Sequence, residues 1–326
     1  MALTLLEASK HAQSPEELAI IRELSGGDLL SVMPFRNITG SGLFWKREES
    51  LANAGFRYIN AGLDEHYGQI SQQSEALKFF GGDIVVDRAI VEMEGPAARA
   101  YQVQSKTTAM RMAFERVFIR GDEVGSQGLE FDGLEKRIGL PGETSQSFDN
   151  GGGGLSLAAL DETLDAVDAN GGSKYLVMGK HMRRALTQAV RDGVINGGVN
   201  IQQNEFGKTQ MYYNETPILI LDRDENNQEI LGANEPNGTS SIYVVSFGDL
   251  LTCGLQNGGI SVRDLGEAHS KPAYLTRIEW YVSMATISGR SVARLSNIDT
   301  KQAAIAGVMA TSVHPWSGVK TVDPIV

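Results

Sequence analysis

The chain is 326 residues long, 41% apolar and 21% charged, an ordinary globular composition with room for about two domains at ~150 residues each. Its formal net charge of −11 excludes a general nucleic-acid binder, whose affinity rests on Lys and Arg neutralising phosphates, although a like-charged wall still encloses DNA without affinity for it. A lone cysteine, Cys253, excludes a disulfide framework and a cysteine-rich zinc site.

Cys253 sits among apolar residues in Leu250–Leu255 and reads as a small buried hydrophobe. Met1–Leu6 lacks the basic leader and long apolar stretch of a secretion signal. No run approaches the ~20 apolar residues that span a bilayer, so no membrane partner is expected and a reducing cytoplasm is.

In chain order, Ser14-Pro15-Glu16-Glu17 has the spacing of a capping box, with proline at the first helical position. Leu18, Ile21 and Leu24 mark one face of the short helix that follows, and Gly26-Gly27 stops it. Leu3, Leu5 and Leu6 lie ahead of it without clear partners; they either cover another surface or pack on their own domain. From Phe35 to Arg88 the chain turns polar, with strand-like content at Leu43–Arg47, Phe56–Asn60 and Ala76–Phe80 and an amide-rich stretch from Gln69 to Glu75. It has too little apolar content to own a core, yet carries Phe44, Trp45, Phe56 and Tyr58. A structureless loop of about fifty residues is uncommon in a compact domain. The stretch therefore reads as a long hairpin-like arm whose aromatics find partners elsewhere.

Pro96 and Gly121 bracket the longest helix signal, in which Val103, Thr107, Met110, Phe114 and Val117 form one stripe opposite Gln102, Lys106 and Arg116. Such a helix makes a rod of ~35 Å. Phe131-Asp132-Gly133-Leu134 introduces a short element before Pro141-Gly142, and Asn150 to Gly154 reads as a linker. A second compact region follows. It holds helices over Leu157–Asp168, capped by Ser156, and Lys180–Arg191, ending at Gly193, with strands at Tyr175–Met178, Gln210–Tyr213, Ile218–Leu221, Ile230-Leu231 and Ile242–Val245. This alternation argues an α+β fold rather than a doubly wound sheet. In Tyr274–Ala285, Tyr274, Ile278, Trp280, Val282 and Met284 share one face of a long strand suited to return to the first domain.

No chemistry is legible. The five histidines are scattered outside metal-ligand spacing, and no Gly-x-Ser-x-Gly elbow is present. The glycine run at 151–154 lacks the Lys-Ser or Lys-Thr of a phosphate loop. The acidic segment Asp222–Glu229 has Asn227 and Ala233 where a calcium loop needs glycine and glutamate, and reads as a hairpin turn. No catalytic, cofactor or metal residue is assigned.

The order of capped arm, polar hairpin, long helix, mixed region and late strand resembles the tailed-bacteriophage major capsid proteins, a fold shared with encapsulins and the herpesvirus capsid floor. The resemblance rests on Leu29–Arg36, Gly81–Asp87, Phe118–Asp122 with Phe131–Leu134, and Ile278–Asn297. It implies an N-terminal arm over residues 1–35, an extended loop over 36–86, and a peripheral domain with a spine helix over 87–154. An axial domain over 155–262 and a peripheral return strand and tail over 263–326 would follow.

The implied function is structural: an icosahedral head shell around double-stranded DNA, built from pentamers and hexamers and assembled in the host cytoplasm. A separate scaffolding protein is implied because only about 35 residues precede the loop; a portal and a decoration protein are further partners. Phe44, Trp45, Phe56 and Tyr58 are the expected interface anchors, with Arg47, Glu48, Glu49 and Arg57 as rim charges that fix register. Rival readings are an encapsulin-like nanocompartment shell, a soluble hydrolase or transferase, and a monomeric binding module.

Overall fold

The structure is a computed structural model and describes residues 3–11, 14–50, 56–59, 69–95, 97–138, 146–192, 199–203, 209–233, 235, 238–268, 271–302 and 311–312. The expected roles of Pro96, Pro141-Gly142, Gly193 and the tail beyond 312 lie outside these residues.

The N-terminal segment comprises β1 (Leu3–Thr4), α1 (Leu5–Ala8), α2 (Pro15–Leu24), α3 (Asp28–Val32) and β2 (Pro34–Asn37). Ser14 caps α2 by accepting from the Glu17 amide at 3.1 Å, with Pro15 at the first turn. Leu5, Ile20, Ile21, Leu24, Leu29 and Leu30 are buried in the chain's own core. Of the three leucines ahead of α2, Leu5 packs on its own domain, where the apolar faces of α2 and α3 turn toward the longest helix and the sheet, whereas Leu3 is partly exposed and the Leu6 side chain lies outside the described residues. Leu3 pairs with Phe35 across β1 and β2.

Next come β3 (Gly42–Ser50), β4 (Gln69–Ala76), β5 (Lys78–Asp87), α4 (Arg88–Glu94), the long α5 (Ala97–Arg120) and α6 (Leu134–Arg137). The stripe expected on α5 is its core face: Thr107, Met110, Phe114 and Val117 are buried. Residues 36–86 are not one excursion. Only β3 and β4 form the separate hairpin, whereas β5 pairs along its whole length with a late strand and buries Ile84 and Val86 in the core. Phe56–Tyr58 is irregular rather than a strand.

The second half holds β6 (Ser147–Asp149), α7 (Leu157–Asp165), β7 (Ser173–Gly179), α8 (Lys180–Arg191), β8 (Val199–Gln203), β9 (Thr209–Tyr213) and β10 (Thr216–Leu221). It continues through β11 (Thr239–Phe247), β12 (Thr252–Glu267), β13 (Ala273–Thr286), β14 (Val292–Asp299) and β15 (Thr311–Ser312). One mixed sheet runs β1-β2-β12-β11-β7-β10-β9-β8, with β13 joining β12 to β5 and β14 joining β11 to β6. Its two faces make two cores. One holds the α5 stripe, Phe35, Trp280, Val177 and Tyr243; the other holds α7 and α8 against Leu176, Met178, Ile218 and Val244.

Several expectations change. The glycine run is a packed turn rather than a linker: Gly152 donates to the Asn297 carbonyl, and Asn150 donates to the carbonyls of Gly153 and Gly154. Ile230 and Leu231 are buried in a turn, not a strand. Asp222–Glu229 is the expected hairpin turn, with the Asp224 carboxylate accepting from the amides of Asn226 and Gln228 and Asn227 at φ 62. The glycine-rich β12 was not anticipated, and it runs unbroken across the expected 262/263 boundary.

Two attachments hold α5 to the late strands. Trp280 stacks on Phe114 with centroids 5.4 Å apart and donates to Gln256 at 3.1 Å. At the other end, Arg99 pairs with Asp264 at 2.7 Å, donates to the Thr276 hydroxyl at 2.7 Å and lies over the Tyr274 ring.

Candidate subunit interface

The hairpin is antiparallel and in register from Gly42 opposite Ala76 to Arg47 opposite Ser71. Side chains alternate across a strand, which gives the hairpin two unlike faces. Leu43, Trp45 and Arg47 share the inner face with Ser71, Gln73 and Glu75; Phe44 and Lys46 share the outer face with Ile70, Gln72 and Ser74.

The inner face is tied to the chain's own body. Leu43 and Trp45 pack against a buried cluster of Ile38, Cys253, Leu255 and Ala285. Glu75 and Arg137 form a buried ion pair, and the Ser283 hydroxyl donates to the other Glu75 oxygen at 2.7 Å. Trp45 is therefore half-buried on its own subunit, not held out for another. Arg47, expected at a rim, is buried, because its parity matches Leu43 and Trp45.

The outer face and the segment beyond it are uncovered. Phe44 is 70% exposed, Tyr58 89%, and Phe56 and Ile59 are fully solvated. Arg57 is exposed between them. Glu48 and Glu49 belong to β3, but their side chains lie outside the described residues. The structure thus divides the eight candidates: Phe44, Phe56, Arg57 and Tyr58 face solvent, and Trp45 and Arg47 face inward.

Sequence reasoning missed a second exposed surface. Phe79 on β5 stands edge-on to Tyr281 on β13, centroids 5.3 Å apart, at an open groove floored by Gly81 and Gly82. A Cβ on Gly81 would lie 2.1 Å from the Ile278 carbonyl, so only glycine permits this close strand approach. Arg277 closes the groove with a two-pronged pair to Asp83 at 2.6 and 2.8 Å, and these hydrogen bonds hold the Asp83 carboxyl below its usual range. The glycines flanked by aromatics in Phe79-Phe80-Gly81-Gly82 were the available signal.

Among the described residues no group of three His, Cys, Asp or Glu side chains is placed to hold a metal ion. No helix of the described residues is long and apolar enough to cross a membrane.

The geometry is similar to that of solved particle shells. The SrpI encapsulin of Synechococcus elongatus matches with a TM-score of 0.61 at 16% identity, over 94% of this chain and all of that one. The capsid of a native GTA particle gives 0.58 at 14% identity over 83% and 90% of the two chains. A protein of Microbacterium phage Oxtober96 gives 0.57 at 11% identity over 84% and 91%. No family model and no curated protein matches the sequence. The fold is that of phage major capsid proteins and encapsulins.

Proposed function

We propose that the chain is a structural subunit that self-assembles, as pentamers and hexamers, into an icosahedral head shell enclosing phage double-stranded DNA. The observation that carries this reading is the hairpin, which is anchored on one face and leaves Phe44, Phe56, Tyr58 and Ile59 in solvent. Large apolar side chains left this exposed on and beyond the hairpin support a docking surface. A second copy covering them would contribute to an interface of the usual ~1,200–2,000 Å². Arg57 sets register at the rim, and Trp45 and Arg47 aim the hairpin from within.

On this reading the chain runs no reaction and holds no cofactor, and DNA is confined by an acidic wall rather than bound by sequence. A separate scaffolding protein, a portal and a decoration protein are its partners. It assembles in the host cytoplasm and resides in the virion.

A second reading, an encapsulin-like nanocompartment, is favoured by the match to the whole SrpI encapsulin chain. Negative-stain microscopy of purified particles separates the two: large and DNA-filled for the first, small and cargo-filled for the second. The chain carrying Phe44→Ser, Phe56→Ser and Tyr58→Ser together should fold, by circular dichroism, and sediment without particles. Normal particle yield from that variant would overturn the interface.

A further inference from the structure

Glu115 lies on α5 and is only 7% exposed, yet no hydrogen bond reaches its carboxyl group from the described residues. It is wedged against the turn between α2 and α3: a Cβ on Gly27 would lie 2.4 Å from its Oε1 and 2.9 Å from Arg111 Cδ. Three charged groups face it. Arg111 is one turn earlier on α5, Asp28 opens α3, and Asp222 follows β10.

The charges around it are already engaged. Arg111 donates to the Glu23 carbonyl of α2 at 3.4 Å. Lys180, at the start of α8, pairs with Asp222. Asp28 accepts from the Ile220 amide of β10 at 3.5 Å. Arg116, the next residue on α5, is taken by Glu130 and Glu225. Among the described residues, an ionised Glu115 would add a third carboxylate, beside Asp28 and Asp222, to a seat where Arg111 is the cation that opposes them.

We propose that Glu115 is a proton-controlled latch: neutral, it closes the seat where α5 meets the α2–α3 turn and the end of β10, and ionised, it opens that seat. Burial is the largest cause acting on this carboxyl; Arg111 opposes it, while Asp28 and Asp222 add to it, and together they push the pKa up to about 7. The unfolded chain releases this proton near 4.5. Stability from the neutral form is therefore full below about pH 4.5 and is lost as pH rises through about 7. The device belongs to the single chain and does not depend on assembly.

The test is calorimetric melting of the full chain from pH about 5 to about 8.5, comparing wild type with Glu115→Gln. The wild type should lose about 5 °C relative to the variant across this range, and parallel curves would overturn the latch. Hydrogen exchange, corrected for intrinsic rate, should show the amides of Leu29–Val32 losing protection above pH 7 in the wild type but not in Glu115→Gln. Equal loss in both would reduce the effect to general instability and sink the proposal. The Asp28→Asn chain keeps Glu115 and provides an independent reading: the midpoint of the loss should move to lower pH. An unmoved midpoint counts against the assignment even where Glu115→Gln does not fold.

Discussion

The Glu75 carboxylate lies 2.8 Å from the Arg137 guanidinium, with both side chains almost wholly out of solvent. Glu75 is near the end of the hairpin and Arg137 ends α6, so this ion pair joins the packing of Leu43 and Trp45 in fastening the exposed arm to the body. Both groups have further partners: Ser283 donates to Glu75, and Arg137 donates to the carbonyls of Asp132 and Met284.

Removing one member strands a buried charge, at a cost of ~3–5 kcal/mol. Urea titration of Glu75→Ala should show a loss of that order. Glu75→Leu combined with Arg137→Met should recover most of it, because an apolar pair of similar volume avoids the desolvation penalty. Equal losses in the single and double variants would mean that the pair acts by shape alone.

Phe114 is fully buried and contacts the rings of Phe35, Phe80, Phe131 and Trp280. Phe114→Ala should lower unfolding free energy by ~3–5 kcal/mol through lost transfer energy and the cavity left behind. A loss of unfolding free energy below ~1 kcal/mol in a denaturant titration would show that the neighbouring rings close the gap.

The Cys253 thiol is fully buried, and burial pushes its pKa up to about 12. Thiolate, not thiol, is the nucleophile. Iodoacetamide should leave the native chain unlabelled at pH 8 and modify one residue in urea. Rapid native labelling would require the cluster beneath Trp45 to open.

Gly133 sits where an added Cβ would meet the Ile119 carbonyl and the Gly121 amide, each at 2.6 Å. These are backbone atoms, so no rotamer change relieves the clash. Gly133→Ala should destabilise the chain by ~1–3 kcal/mol, and a melting temperature equal to wild type would contradict the tight crossing of α5 and α6.

The long helix was legible because its signal is local: a stripe from Val103 to Val117 at spacings of three and four, about four turns, needs no knowledge of its partners. The hairpin return strand was not, since Gln69–Ala76 offers Ile70 as its single large apolar residue and takes its order from the ladder with β3. Strand β12 was hidden by its glycines. Gly254 is small because the Phe35 ring approaches its Cβ direction to 2.3 Å, and Gly258 and Gly259 adopt positive φ where the ladder to β13 shifts register. Arg47 looked like a surface charge by type. Its parity with Leu43 and Trp45 pointed inward, and residue type outweighed alternation in the sequence reading.

The two attachments of α5 have a mechanical consequence. The Arg99 clamp and the Phe114–Trp280 stack are fifteen residues apart on the helix, ~22 Å along its axis, and both land on the β12–β13 pair or the ring at its centre. A rod pinned at two separated points to a stiff ribbon behaves as a truss. Load entering at the ribbon's tip is carried along the helix as compression instead of twisting the strands, and this strut delivers it to the cluster of rings around Phe114.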